Sequence, residues 1–90
     1  MNAELEVFFT KLAPLHPCDA AVARARLFTS LDEVLADAAL DHLEWLVRCI
    51  EPTTFTTLHG HFYRDIEAHA EEFDAYRANL SNIIFTWVKK

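Results

Sequence analysis

Residues 53–90 read TTFTTLHGHFYRDIEAHAEEFDAYRANLSNIIFTWVKK. Within them Phe55, Leu58, Phe62, Ile66, His69, Phe73, Tyr76, Leu80, Ile83 and Trp87 recur at alternating steps of three and four. At about 100° per residue these fall in one stripe roughly 100° wide, which predicts an amphipathic helix over 54–88. Arg64, Glu67, Glu71, Asp74, Asn82 and Lys89 take the opposite side. Unbroken, such a helix would run about 50 Å, more than a chain of 90 residues is wide as a globule. Either it breaks, at Gly60 or at Asn79-Leu80-Ser81-Asn82, or its end projects and packs on a second copy.

Upstream, Asn2 is placed to cap a first helix over 2–13, with Leu5, Phe8, Phe9 and Leu12 on one side. Glu4 and Glu6 suit its positive end and Lys11 its negative end. Pro14 ends it, because the residue before a proline is pushed out of the helical region. An alanine-rich second helix follows over 19–29, whose thin apolar strip is Ala20, Ala23 and Leu27. Small residues there allow another helix to approach closely. Ser30-Leu31-Asp32-Glu33 matches a capping box and opens a third helix over 31–51, which Pro52 stops. Glu44 and Arg48 on that helix stand four apart in the favourable order for an ion pair. Thr53 or Thr54 then caps the last helix. The expected fold is all-α: one small, four-helix-bundle-like domain over 1–90, with a long amphipathic C-terminal helix and no sheet. Strand propensity in Thr53-Thr54-Phe55-Thr56-Thr57 is isolated and has nothing to pair with.

Composition narrows function mainly by exclusion. A formal charge of −6, from 14 acidic and 8 basic side chains, argues against nucleic acid, since phosphate recognition needs clustered Lys and Arg. Arg24, Arg26, Arg48, Arg64 and Arg77 interrupt the negative surface, which also disfavours an acidic mimic of nucleic acid. Cys18 and Cys49 are far apart and form neither a zinc pattern nor a disulfide framework. The N-terminus lacks a signal peptide's positive start and no apolar run is long enough for a membrane, so a cytoplasmic protein is expected. The single glycine rules out a Gly-rich phosphate loop. His16 beside Cys18 is a chance-level pairing for a nucleophile. No enzyme and no cofactor are expected.

The apolar load points the other way, toward a partner. Hydrophobic residues make up 52% of the chain, including seven Phe, two Trp and two Tyr, against an ordinary share of about 45–50%. A chain this short hides only about 60–65% of its unfolded surface, so aromatic surplus is expected to meet another protein. The expectation is a protein–protein interaction module, a regulator, inhibitor or adaptor that forms a homodimer through its long helix. Its predicted contacts are Phe62, Phe73, Tyr76, Leu80, Ile84, Phe85 and Trp87, because aromatic anchors dominate interface energies. Size and acidity alone liken it to small helical immunity proteins, anti-activators and secretion chaperones of bacteria and phages.

The alternative is a metal-binding bundle. His61, Asp65 and His69 stand four apart on one helix edge, with Glu72 near the same line. The Glu-x-x-His pairs common in bundle metal sites are missing. His69 in the aromatic stripe is otherwise a seam histidine. Its charge would then follow whether a partner covers it, so acid would weaken an assembly using that seam.

Overall fold

A computed structural model describes residues 3–69 and 73–90, the side chain of His69 excepted. Asn2, Glu72 and the His69 side chain, to which roles are assigned above, lie outside the described residues. The chain is all-α: six helices, and no strand among the described residues. None of these helices is long and apolar enough to cross a membrane. The chain divides into two compact units, Met1–Ala38 with Val88–Lys90, and Ala39–Trp87.

In the first unit, helix α1 (Ala3–Leu12) buries Leu5, Phe8, Phe9 and Leu12, the expected one-sided stripe. Pro14 then sits in a 3₁₀ turn over Ala13–Leu15, and His16 closes it with φ 55° and ψ 58°, donating its N–H to the Ala13 carbonyl at 3.1 Å. A left-handed residue other than glycine costs about 1–2 kcal/mol. The only glycine is Gly60, so a histidine takes this position. Helix α2 (Asp19–Ala25) buries none of its residues, and its Ala20, Ala23 and the following Leu27 are exposed. It ends four residues before the expected Thr29, tightening through Leu27 N–H to Arg24 and Phe28 N–H to Ala25.

Helix α3 (Leu31–Asp37) starts as its motif predicts, with the Ser30 hydroxyl accepting from the Glu33 N–H at 3.2 Å. The Glu33 carboxylate accepts from the Ser30 and Thr29 hydroxyls, at 3.1 and 3.0 Å, and so does not reach back to the Ser30 backbone N–H. Asp37 ends the helix, where the dipole disfavours a negative charge. Arg24 offsets this with a two-pronged contact, Nε to Oδ2 at 2.6 Å and Nη2 to Oδ1 at 2.7 Å. That hydrogen-bonded pairing holds the Asp37 carboxyl below its ordinary pKa and raises that of Arg24.

The predicted 31–51 helix is instead two helices, α3 and α4 (Leu40–Ile50). Between them Ala38 (φ −59°, ψ 138°) and Ala39 (φ −65°, ψ 149°) are extended. The buried residues of the two helices form separate sets. Leu31, Val34 and Leu35 line one side of α3, and Leu43, Leu46 and Val47 one side of α4. On one continuous helix the two sets would point roughly 120° apart, at 100° per residue. Local chemistry contributes nothing to the stop: alanine is the best helix former, no glycine ends α3, and Ala39 offers α4 no side-chain cap.

In the second unit, α4 packs on α5 (Pro52–His69). Pro52 stands at the first position of α5, where its missing N–H and fixed φ suit a helix start. Neither Thr53 nor Thr54 is therefore the cap. Thr56 and Thr57 donate back to the Pro52 and Thr53 carbonyls, at 2.9 and 3.2 Å. Their hydroxyls are thus satisfied inside the helix despite the strand propensity of the run.

The long C-terminal helix is corrected to two, α5 and α6 (Asp74–Lys89), and the break falls at neither expected place. Gly60 is helical, with nothing within 4 Å of where a Cβ would stand. Asn79–Asn82 is helical too, with the Asn79 side chain donating to the Ala75 carbonyl at 2.8 Å. Phe73 lies outside both helices. In a continuous helix Phe62 and Phe73 would be about 16 Å apart; their ring centroids are 5.2 Å apart, so the chain reverses. Reversal also resets the buried side. On α6 it runs Tyr76, Leu80, Ile84 and Val88 at steps of four, and Ile83 and Trp87 fall to half-buried flanks.

Candidate functional site

The chemistry-bearing residues of the second unit gather where α4, α5 and α6 meet. Phe62 from α5 touches Phe73 edge-on and leans on Tyr76 at 5.8 Å between centroids. The His61 ring stands perpendicular to Phe62 at 4.8 Å. Tyr76 is fully buried, and its hydroxyl donates to Glu44 Oε2 of α4 at 2.7 Å. Burial first, then the Glu44 hydrogen bond and charge, drive the Tyr76 pKa well above its ordinary 10, against a smaller opposing effect of Arg48. Arg48 itself lies over the Phe55 ring at 4.9 Å. The expected Glu44–Arg48 ion pair does not form: each side chain has a tertiary partner that a single-helix argument cannot see.

The predicted contact residues fall into two groups. Tyr76, Leu80 and Ile84 are 0% exposed and are packing residues in the folded chain. Phe62, Phe73, Phe85 and Trp87 are half-buried and keep part of their surface. Next to Phe62, Tyr63 is 46% exposed, a residue the periodicity placed off the stripe and therefore passed over. Of the alternative metal set, His61 and Asp65 are exposed one turn apart on α5. Among the described residues no three His, Cys, Asp or Glu come together to hold a metal ion.

Compared with family models, curated proteins and solved structures, the chain matches none.

The first unit has its own concave feature, a cleft of about 450 Å³ lined by Phe9, Leu12, Ala13, His16, Pro17, Asp19, Val22 and Arg26. The Arg26 guanidinium lies over Phe9, 4.6 Å from its centroid. An apolar floor thus meets a rim of one imidazole, one carboxylate and one guanidinium, a mixed lining suited to an amphipathic group. His16 reaches it through the left-handed turn, which no sequence signal short of the Pro14 and Pro17 pair announces. Leu27, 78% exposed, is the most uncovered large apolar side chain among the described residues. It belongs to the strip with Ala20 and Ala23 that the sequence does announce.

Proposed function

We propose that this chain is a protein–protein interaction module, a small regulator, inhibitor or adaptor that acts by laying helical aromatic surface on a partner protein and associates with itself as a homodimer. The observation that carries the reading is the open aromatic cluster of the second unit. Phe62 and Phe73 are half-buried against each other, and Tyr63 stands exposed beside them. Aromatic side chains that are positioned by packing yet keep surface lose little freedom on binding, the property of interface anchors. Phe85 and Trp87 serve the same role on α6, while Tyr76, Leu80 and Ile84 hold the platform from within. The net charge of −6 favours a basic partner face. Both cysteines are free and exposed, which suits a reducing, cytoplasmic setting.

The test pairs Tyr63→Glu with Phe85→Ala/Trp87→Ala, followed by circular dichroism and affinity capture from the native host. Retained helicity with loss of a specific, stoichiometric partner is expected. Capture undiminished by both variants would exclude this surface.

A further inference from the structure

We propose that the cleft of the first unit binds a short apolar peptide with both ends free, its ammonium held by Asp19 and its carboxylate by Arg26. Two rows of side chains build the cleft. Phe9 and Leu12 of α1 form a buried floor, continued by His16 of the turn. Asp19 and Val22 of α2, with Arg26 at its end, form the facing row. Positions 19, 22 and 26 step by three and four, so they share one side of that helix. Asp19 and Arg26 are thus the two ends of a row about 10 Å long, with Val22 between them. The guanidinium over the Phe9 ring ties the Arg26 end to the floor. At about 450 Å³ the cleft is at the small end of the range in which proteins take up small molecules.

Charge and length select the occupant. Among the described residues neither Asp19 nor Arg26 forms an ion pair or a side-chain hydrogen bond, whereas nearby Arg24 is spent on Asp37. A guanidinium lying over a ring still offers its planar fork of N–H donors, the shape that matches a carboxylate. The Asp19 carboxylate accepts from an ammonium. A fatty acid on Arg26 would run its tail toward that carboxylate, where burying the charge is costly. A free amino acid is too short to reach both ends. An extended chain advances about 3.3–3.6 Å per residue, so three residues span about 10 Å. Phe9, Leu12 and Val22 between the charged ends suit apolar side chains, and the class is a tripeptide carrying them. This site belongs to the first unit and the aromatic cluster to the second, so the inference is independent of the partner reading above.

Titration of the full chain with the peptide Ala-Leu-Ala, followed by amide NMR shifts, tests it. Saturable binding is expected, with the largest shifts at Leu12, His16 and Val22. Acetylating the peptide's N-terminus or amidating its C-terminus should each weaken binding about threefold to fivefold, the worth of an exposed ion pair. Asp19→Asn should lose the same factor and become indifferent to acetylation, and Arg26→Gln to amidation. Both side chains are exposed, and circular dichroism checks that helicity is kept. The blocked peptides probe the same charges on the natural chain, so the answer does not depend on the variants. Ala-Leu-Ala-Leu-Ala, too long to seat both ends, should bind no better than a singly blocked tripeptide. No saturable shift at the peptide's solubility limit overturns the proposal, as do shifts centred away from the cleft. So do blocked or longer peptides that bind like the free tripeptide, the behaviour of an apolar groove indifferent to charge. Octanoate binding as well as the tripeptide also overturns it, since a fatty-acid cleft would behave that way.

Discussion

Replacing Ala39 by proline should stabilise the single folded chain, and the structure gives both sign and size. Proline fixes φ near −65°, and Ala39 already has φ −65°. The residue before a proline must be extended, and Ala38 is, at ψ 138°. Proline removes an N–H, and among the described residues the Ala39 N–H donates to nothing. Its carbonyl, which accepts from the His42 and Leu43 N–H groups at 3.0 and 3.2 Å, is untouched. The remaining effect is lost freedom in the unfolded chain, a gain of about 0.4–1 kcal/mol. One residue earlier the same substitution has the opposite sign. Ala38 also has a φ that proline accepts, but its N–H donates to the Val34 carbonyl at 3.0 Å and it follows helical Asp37. Ala38→Pro loses that bond and sets its ring against the carbonyl four residues back, costing about 3 kcal/mol. Urea unfolding monitored by circular dichroism at micromolar concentration measures both. Equal or reversed effects of the two prolines would refute the described geometry at this junction.

Two further outcomes follow from the ionisable groups. Tyr76→Phe removes the hydroxyl bonded to half-buried Glu44 and should cost about 1.5 kcal/mol at neutral pH, within the range for hydrogen bonds to charged groups. Because burial and Glu44 raise the Tyr76 pKa above 10, its contribution is complete below pH 10 and is lost as pH rises beyond it. Alkaline unfolding curves of the natural chain and Tyr76→Phe should therefore converge above about pH 10, and parallel curves would contradict the assignment. Asp37, held below its ordinary pKa by Arg24, contributes above about pH 4 and loses that contribution as pH falls further. Arg24→Ala should flatten the acid limb of a stability–pH profile, with a small effect at neutral pH because the pair is solvent-screened; an unchanged limb would count against the pairing.

Where the sequence was legible, one helix carried both the pattern and its cover. The α1 stripe and the Ser30 cap are of this kind, since spacing and one short motif determine them locally. Ala38 and Ala39 were not legible, because their propensity points to helix and no glycine, proline or capping side chain there marks the stop. The reversal between α5 and α6 was hidden for a related reason. The stripe keeps its three-and-four spacing from Ile66 through Phe73 to Tyr76, and no glycine or proline lies between His69 and Asp74 to announce that α5 and α6 are separate. The candidate site inherited that error. Periodicity identifies apolar side chains without saying whose surface covers them, so Tyr76, Leu80 and Ile84 read as contacts when the chain itself encloses them. Tyr63, 46% exposed beside Phe62, carried no period that would single it out, whereas Leu27 belonged to the strip with Ala20 and Ala23.

Gly60 gives the molecule one unusual vantage point. The backbone there is helical and exposed, and among the described residues a Cβ would meet nothing within 4 Å beyond its chain neighbours and the helix's own backbone. A dye or photoreactive group grafted at that position would start from open space on an exposed helix side, facing whatever arrives from solution.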